Sequence, residues 1–170
     1  MRKLTKFGHT VGAIGLLGTM LSLLVVLAAL PQPADDIHSY AVLTELVDRL
    51  ARWLLLPSLT VTLVSGLLAM ALGTSFHGAG WAWLKLATGV LMFEGTLLTV
   101  QGPLQGEAEL ARQYLAGSIT IDALASSFWA VRNSIFILGG VAVFNVAIGV
   151  WRPRFSGRGG ESSEVTEEHG

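Results

Sequence analysis

The chain has 170 residues, 52% of them hydrophobic and only 14% charged, against roughly 25% charged in a soluble domain. It has no cysteine, which excludes disulfides, thiolate metal sites and cysteine nucleophiles. Its net charge of −1 gives no ground for a nucleic-acid partner.

Charges gather at the N-terminus, in two loops and in the tail, and the stretches between are nearly free of them. Crossing about 30 Å of hydrocarbon takes about 20 mostly apolar residues. The first such stretch is Val11–Leu30. Met1, Arg2 and Lys3 give it the positive start of a signal peptide, but a signal core runs only about 7–15 residues. The stretch is therefore expected to be retained as a span. Next comes a loop in which Val42, Leu43, Leu46, Val47, Leu50 and Leu54 recur at helical spacing among Glu45, Asp48, Arg49 and Arg52. That pattern reads as an amphipathic interfacial helix leading into the second span, Leu54–Gly73, where Pro57 should kink or restart the helix. A tight hairpin at Gly73–Gly80 precedes the third span, Trp81–Gly102, which contains Lys85 and Glu94. The loop from Pro103 to Arg132 reads as two short helices, one over Glu107–Leu115 and one from Thr120 with Leu124, Phe128 and Val131 on one face. The fourth span is Asn133–Trp151.

The expected fold is an all-α membrane protein. Residues 1–153 form a four-helix transmembrane bundle with short amphipathic helices in the two outer loops, and 154–170 form a disordered Gly/Ser/Glu-rich tail. Trp53, Trp81, Trp83, Trp129 and Trp151 fall at or beside the span ends, where an aromatic belt sits. Arg2, Lys3 and Lys6 precede the first span, and Arg152, Arg154 and Arg158 follow the fourth. This Lys/Arg bias puts both termini in the cytoplasm of a multi-pass plasma-membrane protein.

Polar residues inside spans are costly, so each calls for an account. His9, Lys85 and Asn145 lie near the cytoplasmic ends of three spans, and His77 lies in the hairpin; the four can converge at one end of the bundle. A neutral histidine nitrogen is an axial ligand for haem iron, and a neighbouring lysine can ligate when neutral or pair with a propionate when charged. The bland alternatives are an interfacial His9 and a Lys85 that snorkels to headgroups. Glu94 is too deep to snorkel and is expected to face the bundle interior near Ser22 and Ser65, as a proton-handling acid or a neutral structural one. Arg132 reads as a topology anchor or an anion-binding group. Gly8, Gly12, Gly15 and Gly18 thin one side of span 1, for close helix packing or for a flat cofactor, and Gly139–Gly140 do similar work in span 4.

The segments KFGHTVGAIGLLG, LARWLLLPSLTVTLVSGLLAM, GWAWLKLATGVLM and VRNSIFILGGVAVFNVAIGVWRP resemble the four spans of HemJ-type and CopD-type small membrane proteins. The resemblance covers most of Lys6–Pro153. The HemJ-type likeness implies a haem b site using the span-1 histidine and span-3 lysine, here His9, the metal ligand, and Lys85. It also implies oxidation of protoporphyrinogen IX. Span 1 departs from that pattern, reading GAIGLLGTML where HemJ-type proteins carry a tryptophan-containing turn and an arginine. The CopD-type likeness implies copper handling, for which the chain has no Met- or His-rich run. Two other readings stay open: a non-enzymatic scaffold or subunit, partnered by copies of itself or another membrane protein, and a small transporter built on Glu94.

Overall fold

The computed structural model describes residues 2–72, 80–124 and 128–151. His77, the hairpin around it and the 154–170 tail lie outside the described residues. All regular structure among them is helical: α1 (Arg2–Ala28), α2 (Ile37–Leu50), α3 (Leu56–Ala71), α4 (Gly80–Thr96), α5 (Gly102–Leu115) and α6 (Trp129–Trp151), with a 3₁₀ turn at Ile121–Ala123. Four helical stretches, Lys3–Ala28, Ile37–Ala71, Ala82–Leu115 and Trp129–Ile148, are long and apolar enough to cross a membrane.

Two of these stretches are longer than a span needs. Ile37–Ala71 is one rod of 35 residues, about 52 Å at 1.5 Å per residue. It passes through Pro57 without breaking. Proline offers no N–H, and its ring collides with the carbonyl four residues back. The backbone answers by widening just before it, so that the N–H of Leu56 donates to the carbonyl of Ala51, five residues back, in a π turn over Ala51–Leu55. The same device recurs before Pro103, where Gly102 N–H donates to Leu97 O across a π turn at Leu97–Gln101. The expected kink at Pro57 is thus a widened turn within a continuous helix.

The two outer helices are therefore extensions of the second and third long helices. α2 and α5 pack on each other as an antiparallel pair above one end of the four-helix bundle. Their register differs from the sequence reading. Val42, Leu46 and Leu54 are exposed, while Tyr40, Thr44, Val47, Asp48, Ala51 and Leu55 are buried. The buried face includes polar residues because α5 and its π turn present matching ones. Tyr40 Oη donates to Glu107 Oε1 at 2.6 Å, and Gln101 Nε2 donates to Asp48 Oδ1 at 3.1 Å. Arg52 pairs with Asp48 at 3.2 Å. Asp36 caps α2 by accepting from Ser39 N–H at 3.0 Å. Ser39 holds the Asp36 carboxyl below the usual carboxylate range, by its hydroxyl first and its N–H second. In the second outer segment, Glu107–Leu115 belongs to α5. Leu124 and Val131 are buried as expected, but Thr120 opens only a 3₁₀ turn.

The bundle core is a ladder on α1, Leu16, Met20, Leu23 and Leu27, meeting Leu55, Leu59, Met92, Val131, Ile135 and Leu138 from the other long helices. α1 and α3 make the closest pair. Gly8, Gly12 and Gly15 are spaced four and three apart, as are Ser58, Thr62 and Ser65, and antiparallel packing matches them in reverse order. A Cβ on Gly8 would sit 3.7 Å from Ser65 Cβ. One on Gly12 would press on the Thr62 hydroxyl and stand 2.9 Å from both Ser58 O and Thr62 N. One on Gly15 would be 2.5 Å from Ser58 Oγ. The small residues let the two backbones touch, the packing expected of small-xxx-small faces.

Candidate functional site: a cavity at the N-terminal end of the bundle

Beside the close α1–α3 contact the helices part around a cavity of about 510 Å³, which reaches from Thr5 to Leu17 on α1. That lies within the roughly 300–1,000 Å³ typical of ligand pockets. Its walls are mostly apolar, with Leu17, Leu63, Met70, Leu86 and Met92 among them, and α1, α3, α4 and α6 all contribute. A few polar groups converge on it: His9 and Lys6 from α1, Lys85 from α4 and Asn145 from α6. Three of these four, His9, Lys85 and Asn145, are the candidates that the sequence offers, and the fold brings all three to one cavity.

His9 is held in a defined way. Its Nδ1 lies 2.9 Å from the carbonyl oxygen of Thr62. A carbonyl only accepts, so Nδ1 carries the hydrogen, and in the neutral ring the lone pair resides on Nε2. The ring packs against Gly66 of α3, where a Cβ would stand in van der Waals contact, 3.7 Å from both Cε1 and Nδ1 of His9. The Thr62 carbonyl also accepts from Ser65 Oγ at 3.1 Å. Asn145 is oriented as well: its Nδ2 donates to Val141 O at 3.1 Å and its Oδ1 accepts from Thr88 Oγ1 at 2.8 Å, tying α6 to α4. Lys85 is half-buried and lines the same space.

Comparison with family models, curated proteins and solved structures returns no match.

The other expected residues do not join this site. Glu94 is exposed on the outside of α4, a correction to its expected place in the interior. The reason is rotational. Met92 is buried, Gly89 approaches Leu63 and Gly95 approaches Leu138, which fixes the inward face of α4. At 100° per residue Glu94 stands about 200° from Met92. Its anticipated partners are committed elsewhere, Ser22 to Gly18 O at 2.9 Å and Ser65 to Val61 O at 2.6 Å. Arg132 is half-buried in the first turn of α6, thirteen residues from Asn145, or about 20 Å along the axis. It joins none of the ion pairs among the described residues.

Three features escaped the sequence reading. Thr62 acts through its carbonyl, so its side chain gave no signal. Gly66 is a lone glycine within α3, with no glycine spacing to mark it. The Asp48–Gln101 and Tyr40–Glu107 contacts pair residues 53 and 67 positions apart, which helical periodicity cannot connect.

One histidine on an apolar-walled cavity is a donor set that could hold a haem. Among the described residues no three His, Asp or Glu side chains gather into a metal site. One histidine with its second nitrogen bonded to a backbone carbonyl is the usual support for an axial ligand. Apolar walls suit a porphyrin face, and Lys6 and Lys85 are cations suited to carboxylates on such a ring.

Proposed function

We propose that the chain is an integral membrane protein that binds haem b at the cytoplasmic end of its bundle and serves a redox reaction there. The observation that carries this reading is the convergence of His9, with its Nδ1–H committed to Thr62 O, and Lys85 on one apolar-walled cavity. His9 Nε2 would hold the iron. Lys85 and Lys6 would pair with propionates or, for a neutral Lys85, supply a second ligand. Leu17, Leu63, Leu86 and Met92 would exclude water from the ring faces. Bound haem would supply one-electron redox chemistry that no side chain here offers. The HemJ-type resemblance favours a tetrapyrrole substrate over copper.

Insertion is supported by the tryptophans. Trp129 and Trp151, at the two ends of α6, are 63% and 80% exposed. They are 22 residues apart, or about 33 Å, close to the thickness of a bilayer's hydrocarbon. Trp53 and Trp83 are exposed on neighbouring helices at matching ends. The α2–α5 pair then projects beyond the outer surface, and Arg2, Lys3 and Lys6 mark the cytoplasmic side. Because Glu94 faces outward, the transporter reading loses the interior acid on which it was built.

The test is an absorbance spectrum of full-length protein purified after expression with ample haem. A Soret band is expected, lost in His9→Ala and shifted in Lys85→Ala. Colourless wild-type protein that is otherwise folded would refute the proposal.

A further inference from the structure

The outward face of α4 carries a stripe of Leu84, Ala87, Leu91, Glu94 and Leu98, all exposed. The intervals of three, four, three and four are those of the seam between two helices crossing at a small left-handed angle. Glu94 lies eleven residues from Trp83, about 16 Å along the axis, so it stands near the middle of a hydrocarbon layer about 30 Å thick. No group among the described residues makes a hydrogen bond or ion pair with it. A carboxyl facing lipid at that depth without a partner is costly, and its short stem cannot carry it to the headgroups.

Membrane geometry selects the occupant. A two-fold axis along the bilayer normal keeps every residue of a second copy at its own depth, and an isologous contact brings a residue near that axis against itself. Glu94 would therefore meet Glu94. Two neutral carboxylic acids satisfy each other fully, each donating one O–H and accepting one. The flanking Leu91 and Leu98 pack in the same seam, and Ala87 lets the helices draw close toward the inner end. Other outward hydroxyls on the long helices, Ser22, Thr60 and Thr99, already donate to carbonyls of their own helices.

We propose that the protein is a parallel homodimer joined along α4, with the paired Glu94 carboxyls as its central polar contact. This inference rests on membrane insertion but not on the cofactor, so a colourless protein would leave it standing.

The chain has no cysteine, so single-cysteine variants report cleanly. In native membranes, oxidation of Leu91→Cys should give disulfide-linked dimers. Ile137→Cys, equally exposed on α6, should give few. Adding Glu94→Leu to Leu91→Cys should weaken association about ten-fold, read as monomer release on dilution in mild detergent. Glu94→Gln, which still donates and accepts, should retain the dimer. Glu94→Leu exchanges one lipid-facing group for another, so folding should survive, and a retained monomer peak checks it. Linking of Leu91→Cys no faster than of Ile137→Cys would overturn the proposal. So would Glu94→Leu protein that dimerises as wild type, or native mass spectrometry showing three or more copies.

Discussion

Replacing Gly12 with alanine is the most direct probe of how the α1–α3 contact sets the site. The added Cβ would stand 2.9 Å from two backbone atoms of α3, Ser58 O and Thr62 N. Neither is the end of a flexible side chain, so the helices must separate by about 0.5–1 Å to restore van der Waals contact. Overpacking of this kind costs about 1–3 kcal/mol. Alanine's helix propensity returns up to about 1 kcal/mol. Gly18→Ala isolates that second effect, because nothing lies within 4 Å of its added Cβ. Gly12→Ala should therefore be less stable than Gly18→Ala by about 1–3 kcal/mol, the difference being the clash alone. The same separation stretches the 2.9 Å contact between His9 Nδ1 and Thr62 O toward the limit beyond which a hydrogen bond is lost. If the proposed haem site is right, Gly12→Ala should then also bind haem more weakly than Gly18→Ala. Denaturant or thermal unfolding in a defined detergent gives the first quantity and haem titration the second. Equal stability of the two variants would refute the packing argument. Unequal stability with equal haem affinity would refute the link from packing to His9.

Gly66→Val should displace the His9 ring, since even a Cβ at position 66 reaches 3.7 Å from it, and should weaken the Soret band while Gly140→Val leaves it intact. Tyr40→Phe removes a phenol that donates to a buried carboxyl at 2.6 Å; a loss of about 1–3 kcal/mol is expected by unfolding, and a neutral result would show the contact to be idle. Asp48→Ala strips a buried acceptor from Gln101 and Arg52 and should destabilise the α2–α5 pair more than Glu109→Ala, an exposed site on α5, as amide exchange in α5 can show. For Asp36 the folded carboxyl lies below its usual value because of Ser39. Its stabilisation is therefore present above the unfolded pKa and is lost as pH falls through the folded one. Asp36→Asn should flatten that acid limb, and an unchanged profile would discount the cap.

The four long apolar stretches, the tryptophans at their ends and the shared end of His9, Lys85 and Asn145 were legible from composition and spacing. Those properties follow from the chain alone, because a helix's length and the height of a residue along it are arithmetic at 1.5 Å per residue. Rotation about each helix axis was not legible. In a span that is apolar all round, periodicity does not mark the inner face. Glu94 is therefore expected inside where the contacts of Gly89 and Gly95 turn it outward, and Val42 and Leu46, which share an apolar pattern with Val47, are exposed while Val47 is buried. The matched spacing of Gly8, Gly12 and Gly15 with Ser58, Thr62 and Ser65 was present in the sequence, but only the antiparallel contact of α1 with α3 shows that the two sets meet. That contact is also what brings a backbone carbonyl to His9 and so decides which of its nitrogens carries the hydrogen.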